Sequence, residues 1–197
     1  MIRTGIFGGS FNPIHNGHIN LAQHILQCGE VDEIWLMVSP HNPLKESTSL
    51  WDENFRLQMA QAATADCENI YASDFEFHLF RPNYTWRTLQ ELEKAYPKRS
   101  FSLIIGADNW LVFEKWANHK TILQNYPILI YPREGYPIQI QSLPTGVKFI
   151  EAPLFPWSST QIREALNQQC DVSDMLPPQV IQLLKERSKS MGTLPKN

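Results

Sequence analysis

The 197-residue sequence lacks the features of several common protein classes. It has no run of about 18 apolar residues, so we expect no transmembrane helix. The glycines Gly8 and Gly9 come too early to leave room for the apolar region of a signal peptide, and we expect a cytoplasmic protein. Three cysteines, Cys28, Cys67 and Cys170, are odd in number and widely spaced. They disfavour a disulfide framework and favour a reducing compartment.

Clusters of basic residues are also missing. The formal net charge is −3, from 17 lysines and arginines against 20 aspartates and glutamates. A broad, nonspecific nucleic-acid surface concentrates lysine and arginine on one face, so this class is disfavoured. If the ligand is an anion, the positive field that holds it must be local, and short motifs become the informative features.

Apolar runs alternate with amphipathic stretches along the chain. Continuous apolar runs are typical of strands buried on both faces, and apolar residues at helical spacing indicate helices. Their alternation predicts right-handed βαβ units and an α/β fold with a doubly wound, mainly parallel, Rossmann-like sheet. We predict one domain over residues 1–187, with C-terminal helices, and a flexible polar tail over 188–197. The predicted strands cover residues 4–7, 34–38, 70–72, 101–105, 127–131 and 147–150, and the predicted helices cover 17–28, 53–65, 84–96, 159–167 and 178–187.

The segment after the first predicted strand has the residues of a phosphate site. Gly8 and Gly9 allow positive φ and close approach of an anion, next to a helix start that offers free N–H groups. Neither GxxxxGK[ST] nor GxGxxG occurs. Instead His15 and His18 bracket a glycine, and both can donate to one phosphate chain. A tight turn with two surface histidines is the alternative; zinc is disfavoured because no Cys/His cluster completes the ligand set.

The run GGSFNPIHNGH, residues 8–18, resembles the GGxFDPxHxGH signature of the bacterial nicotinate mononucleotide adenylyltransferases. This family belongs to the HIGH-type nucleotidyltransferase superfamily. Asn12 stands where aspartate is usual, which keeps the turn-forming ability and loses a charge. The resemblance covers about residues 3–187 and implies a nucleotidyltransferase domain. It implies that His15 and His18 are catalytic and that the preceding residues bind ATP: Gly8, Gly9, Ser10 and Phe11.

A second stretch, PWSSTQIR at residues 156–163, opens a predicted helix near the C-terminus. Ser158 or Ser159 can cap this helix, and Arg163 can bond a phosphate about one turn later. Simple capping is the alternative. The stretch resembles the family's ISSTxIR motif, with Trp157 in place of isoleucine. The resemblance implies an ATP-binding group opposite the two histidines, with its arginine catalytic: Ser158, Ser159, Thr160 and Arg163.

The loop after the second predicted strand, PHNPLK at residues 40–45, is similar to the family's PxxPxK/H loop. The resemblance implies that Lys45 adds a cation at the mouth of the ATP site. Solvation of an ordinary surface lysine is the alternative.

Three further segments resemble the family's mononucleotide site. Asn83-Tyr84-Thr85 is similar to its SYT segment, where helix N–H groups could prefer a nicotinate carboxylate to a nicotinamide amide. Residues 104–116 are similar to IIGxDxL…FxxW, and residues 131–136 to RRPGYP. Spacing alone makes Trp110 and Trp116 core residues, whereas the resemblance implies that Trp116 stacks on the pyridinium ring and Asp108 bonds the ribose. The mononucleotide-binding residues so implied are Tyr84, Thr85, Gly106, Asp108, Trp110, Trp116 and Arg133.

The resemblance implies adenylyl transfer from ATP to nicotinate mononucleotide, which gives nicotinate adenine dinucleotide and pyrophosphate, a late step of NAD biosynthesis. Mg²⁺ is expected to arrive with ATP, with no metal site of the protein itself. We expect no nucleic-acid or membrane partner, and the sequence leaves open whether the chain forms a homo-oligomer. The alternatives are a preference for nicotinamide mononucleotide or phosphopantetheine, a non-catalytic nucleotide sensor, and a synthetase-like RNA binder. Trp116 disfavours phosphopantetheine, the paired phosphate motifs disfavour a sensor, and the missing basic surface disfavours RNA.

Overall fold

The computed structural model describes residues 1–40 and 50–191. Strands and helices alternate along these ranges, as predicted, and short 3₁₀ turns join some of them. The elements in chain order are β1 (Ile2–Gly9), α1 (Asn16–Gln27), β2 (Glu33–Val38), α2 (Glu53–Thr64), β3 (Ile70–Ser73), α3 (Thr85–Ala95), β4 (Arg99–Gly106), α4 (Ala107–Trp110), α5 (His119–Asn125), β5 (Ile128–Tyr131), β6 (Val147–Phe149), α6 (Ser159–Asn167) and α7 (Pro178–Met191).

The strands form one six-stranded sheet in the order β3-β2-β1-β4-β5-β6. Every neighbouring pair is parallel, which confirms the predicted doubly wound parallel sheet. The chain moves outward from β1 in one direction through β3, then returns to the other side of β1 at β4. The order therefore reverses between β1 and β4, and in open sheets ligands bind beyond the carboxyl ends of the strands at such a reversal.

Both faces of the sheet are covered by apolar side chains. Successive strand residues point to opposite faces, so Ile6 packs with Leu89 and Leu92 of α3, while Phe7 packs with residues of α1, α2 and α7. On β4, Ile104 packs on the same face of the sheet as Phe7, and Leu103 packs on the same face as Ile6. The two central strands are therefore fixed from both sides, which gives their carboxyl ends a rigid base.

The structure departs from the sequence prediction at four places, the first of which is the short helix α4, which was not predicted. β1 continues through Gly9, so the two glycines end a strand and neither has a positive φ; the left-handed residue is Phe11, with φ 44°. Helix α5 was not predicted. Helix α7 continues to Met191, past the predicted end at residue 187. Within the described ranges, no helix is long and apolar enough to cross a membrane.

Candidate active site

A cavity of about 1030 Å³ lies at the carboxyl ends of β1 and β4, where the strand order reverses. Its wall gathers residues from both ends of the chain. Lys45 lies outside the described residues, and Trp110 is not on the wall. The remaining predicted site residues all line the cavity: Gly8, Gly9, Ser10, Phe11, His15, His18, Tyr84, Thr85, Gly106, Asp108, Trp116, Arg133, Ser158, Ser159, Thr160 and Arg163.

The two histidines stack on each other at the start of α1. Their ring centroids are 3.7 Å apart and the rings are inclined by 30°. The backbone N–H of His15 donates to Nδ1 of His18 at 3.2 Å. Because Nδ1 accepts this bond, the neutral His18 ring carries its proton on Nε2. The main chain of His15 thus selects the tautomer in which Nε2 of His18 is a donor.

Gly17, between the two histidines, is required by close packing. A Cβ atom at this position would lie 3.0 Å from Nδ1 of His15 and 3.2 Å from Cβ of Phe155. A Cβ at Gly9 would likewise lie 3.0 Å from the ring of Phe11. Both glycines therefore act through the absence of a side chain, and their φ angles need no left-handed conformation.

His15 is uncharged at neutral pH. Burial lowers its pKa to about 4, and the positive charge of Arg133 acts in the same direction. Its side chain is 5% exposed, and the buried Nδ1 has no hydrogen-bond partner among the residues that the structure describes. A ligand that brings negative charge would favour the imidazolium form and raise this pKa.

The start of α6 is bonded directly to the loop after β1. Oγ of Ser159 donates to the carbonyl oxygen of Pro13 at 2.9 Å, and Nη1 of Arg163 donates to that of Asn12 at 2.8 Å. Partial burial lowers the pKa of Arg163, but not enough to remove its charge at neutral pH. The two motifs, 151 positions apart, therefore form a single structure around the cavity.

Ser158 is the N-cap of α6. Its Oγ accepts a bond from the N–H of Gln161 at 3.2 Å, and Oε1 of Gln161 accepts from the N–H of Ser158 at 2.9 Å. Simple capping therefore accounts for Ser158. Thr160 is exposed on the first turn, where Arg163 reaches its hydroxyl at 3.4 Å.

The start of α3 lies at the other end of the cavity. Its N-cap, Tyr84, makes no side-chain bond to the first turn. Asn83 instead donates from Nδ2 to the carbonyl oxygen of Glu76 at 2.6 Å. Asn83 therefore does not cap this helix, and the uncapped N–H groups of α3 lie next to Tyr84 and Thr85 on the cavity wall.

Asp108 and Arg133 face each other beside β4. Nε of Arg133 lies 3.6 Å from Oδ1 of Asp108, too far for a hydrogen bond, and this buried oxygen has no hydrogen-bond partner among the described residues. A Cβ on Gly106 would collide with the same oxygen and lie 3.1 Å from Cγ of Arg133. Asp108 thus keeps an acceptor available at the cavity.

The two tryptophans separate in the structure. Trp116 lines the cavity, and its Nε1 is buried without a hydrogen-bond partner within the described ranges. Trp110 stacks on Phe113 at 5.3 Å with the rings 21° apart, away from the cavity wall. Trp110 therefore packs against Phe113 and does not line the cavity, and its role in binding the mononucleotide stays a prediction.

Two buried charged residues beside the cavity, Arg56 and Glu76, were not predicted as part of the site. Arg56 of α2 is 1% exposed and donates only to main-chain carbonyl groups. Glu76 lines the cavity and accepts from the hydroxyls of Ser39 at 3.0 Å and Thr88 at 2.9 Å. Burial raises the pKa of Glu76. An arginine beside the apolar stripe of α2 was the available signal for Arg56, whereas nothing local distinguishes Glu76.

No metal-binding cluster is found in the part of the chain that the structure describes. Over residues 1–40 and 50–191, no three His, Cys, Asp or Glu side chains come close enough to hold an ion.

A parallel sheet with this strand order and a cavity at its reversal defines a Rossmann-like α/β protein, the class whose members bind nucleotides at this place. A family model described as cytidylyltransferase-like matches residues 6–165. The probable nicotinate-nucleotide adenylyltransferase of Bacteroides thetaiotaomicron is 46% identical over 185 residues, 94% of this chain and 92% of that protein. That of Flavobacterium johnsoniae is 41% identical over 182 residues, 91% of this chain and 94% of that protein.

A solved structure supports the fold. The Plasmodium falciparum nicotinic acid mononucleotide adenylyltransferase complexed with NaAD has a TM-score of 0.78 and 20% identity, covering 95% of this chain and 97% of that one. The chain belongs to the cytidylyltransferase-like family and, within it, to the nicotinate-nucleotide adenylyltransferases. The family resemblance of the sequence is thereby confirmed.

Proposed function

We propose that this enzyme transfers the adenylyl group of ATP to nicotinate mononucleotide and releases pyrophosphate. One observation carries the proposal: a single cavity joins the His15–His18 pair and the start of α6 to the uncapped start of α3 and Trp116. Its volume, about 1030 Å³, is at the upper end of the range of about 300–1,000 Å³ for sites that hold one small ligand.

The chemical step needs no side-chain nucleophile. An oxygen of the mononucleotide 5′-phosphate attacks the α-phosphorus of ATP, and the bond from that phosphorus to the bridging β-oxygen breaks. Both electrons of the broken bond leave with pyrophosphate. Because the attacking group is already an anion, the protein contributes alignment and stabilisation of charge.

The phosphate end of the cavity supplies that stabilisation. His18, with its proton on Nε2, can donate to a non-bridging oxygen of the α-phosphate. His15 begins neutral and can gain a proton as negative charge approaches. Arg163 lies across the loop, where its guanidinium could bond the β- and γ-phosphates.

Mg²⁺ is proposed to enter as a complex with ATP. No protein cage for a metal is found over residues 1–40 and 50–191, which fits an ion held by phosphate oxygens and water. Bound in this way, the ion neutralises phosphate charge during the transfer. Removal of divalent cations with a chelator should abolish pyrophosphate release, and added Mg²⁺ should restore it. Full activity in excess chelator would contradict this part of the proposal.

The mononucleotide end supports an acid substrate. The uncapped N–H groups and positive end of α3 favour a carboxylate over an amide by about 1–2 kcal/mol in a partly buried setting, roughly 5- to 30-fold. Trp116 offers a ring face or edge to the pyridinium.

The primary test measures pyrophosphate release from ATP with each mononucleotide and identifies the product by chromatography. We expect a higher kcat/KM for nicotinate mononucleotide than for nicotinamide mononucleotide. Tyr84→Asp, which adds a negative charge at the end of α3, should reduce the acid-to-amide ratio relative to Tyr84→Asn. Absence of dinucleotide product with both substrates would refute the proposed function, and equal ratios in the two variants would refute the role of the helix end.

A further inference from the structure

The side chain of Arg56 is among the most deeply buried in the molecule, yet it carries a charge. Its guanidinium donates from Nε to the carbonyl oxygen of Trp51 at 3.0 Å and from Nη2 to that of Pro40 at 2.9 Å. Nη1 donates to the carbonyl oxygens of Ser39, at 2.8 Å, and Ser10. One side chain of α2 therefore holds the chain just beyond both β1 and β2.

Within residues 1–40 and 50–191, no carboxylate forms an ion pair with Arg56. The ion pairs among the described residues use other cations, and Asp52 and Glu53 act on Arg56 only through space. Burial lowers the pKa of the guanidinium, though it stays charged at neutral pH. A buried cation of this kind is costly, and an apolar residue would fill the same space at lower cost. Its presence calls for a role other than packing.

The bond to Ser10 adjoins a strained residue. Phe11 has φ 44°, a conformation that a bulky residue keeps only where its surroundings enforce it. Arg56 holds the carbonyl group immediately before Phe11, and Arg163 holds that of Asn12, immediately after it. The two arginines thus bond carbonyl groups of the two residues that flank Phe11. Only Arg163 lines the cavity.

The ring of Phe11 connects this loop to the histidines. It lies edge-on to His18 with centroids 5.0 Å apart, and it covers Gly9 closely. Because the peptide bond between Ser10 and Phe11 is trans and planar, the N–H of Phe11 points away from Arg56. The orientation of the Ser10 carbonyl therefore determines where this N–H and the Phe11 ring stand relative to His18.

We propose that Arg56 is a positioning residue for the ATP half of the site. It acts through the Ser10 carbonyl and Phe11, sets the geometry of the loop that leads to His15 and His18, and does not itself touch the substrate. This role rests on the proposed function, which supplies ATP as the ligand, and it does not depend on which mononucleotide is the second substrate.

The test compares Arg56→Lys with Met59→Ala. Lysine keeps the charge but cannot reach four carbonyl groups, since it has three donors and no planar fork. Met59 lies on the same helix, is fully buried and does not line the cavity, so its truncation controls for loss of stability. ATP affinity is measured by calorimetry with a non-hydrolysable ATP analogue and no mononucleotide, and KM for each substrate follows from initial rates.

We expect Arg56→Lys to weaken analogue binding and raise KM for ATP by about 10- to 100-fold, the scale of a small misplacement of a binding group. KM for the mononucleotide should change by less than about threefold. Met59→Ala should lower Tm without raising KM for ATP more than KM for the mononucleotide. Equal changes in both KM values, or an unchanged analogue affinity, would overturn the inference. If no dinucleotide product forms but Arg56→Lys weakens analogue binding, the proposed function is refuted and the role of Arg56 in ATP binding is supported.

Chemical rescue gives an independent readout. Arg56→Ala removes the guanidinium and leaves a space that a free guanidinium ion can occupy. Added guanidinium chloride, well below concentrations that unfold the protein, should restore ATP turnover in a saturable way, whereas sodium chloride at equal ionic strength should not. If Arg56→Ala does not fold, the Arg56→Lys comparison decides. No rescue in a folded Arg56→Ala protein would contradict positioning by the guanidinium.

Discussion

The neutral state of His15 should make the stability of this protein depend on pH in a defined direction. The pKa of His15 is about 4 in the folded protein and 6.5 in the unfolded chain. Between these values the unfolded chain binds more protons, so the free energy of unfolding falls as the pH is lowered through 6.5 towards 4. Above pH 6.5 the contribution is fully present. His15→Asn, which keeps a residue suited to a helix N-cap, should remove this dependence.

The magnitude follows from the same two values. A pKa difference of one corresponds to about 1.4 kcal/mol, so the full loss below pH 4 amounts to about 3 kcal/mol. At pH 5 the linkage relation gives a loss of about 2 kcal/mol relative to pH 7.5. His15 is only 5% exposed, so solvent screening reduces these values little.

The measurement is urea unfolding of the wild type and His15→Asn at a series of pH values from 5 to 8. Other groups titrate equally in both proteins, so the difference between the two curves isolates His15. It should change by about 2 kcal/mol over this range. His78→Gln, a substitution of an exposed histidine, controls for the removal of a histidine in general. Parallel curves for the wild type and His15→Asn would refute the buried, neutral His15.

Three further predictions concern the site itself. His18→Ala should lower kcat by about 10²- to 10³-fold, the scale for a lost charge-stabilising donor, and a near-normal kcat would exclude the α-phosphate contact. Gly17→Ala should displace the His15 ring and lower kcat/KM for ATP about tenfold. The free energy of unfolding should fall by only about 0–2 kcal/mol, because alanine favours the helix. Unchanged kinetics would contradict the close packing of Gly17 against His15. Trp116→Ala should raise KM for the mononucleotide by roughly 5- to 30-fold, which corresponds to the loss of a stacking contact of about 1–2 kcal/mol. Trp110→Ala should mainly lower Tm. The reverse pattern would show that Trp110, and not Trp116, binds the mononucleotide.

The sequence by itself determined the sheet and the location of the site. Strands β1, β2, β4 and β5 contain short runs of buried residues, and this pattern is local, so they were predictable. The edge strands β3 and β6 bury one residue each, and they too lie where the sequence predicted strands. The paired histidines and the SST…R helix start are also local, because a helix start presents its N–H groups whatever surrounds it. Parallel strands then place both motifs at the carboxyl edge of the sheet.

Only the tertiary structure shows the charge states of the site residues and the contacts that hold the site in place. Trp110 and Trp116 both pack against Phe113, and only the tertiary structure shows that Trp116 lines the cavity whereas Trp110 does not. The lowered pKa of His15 depends on burial by distant segments and on Arg133. The contact of Arg56 with Ser10 joins residues 46 positions apart. Periodicity and helix starts depend on neighbours in the chain, whereas burial, charge and restraint of a strained loop depend on which remote groups the fold brings together.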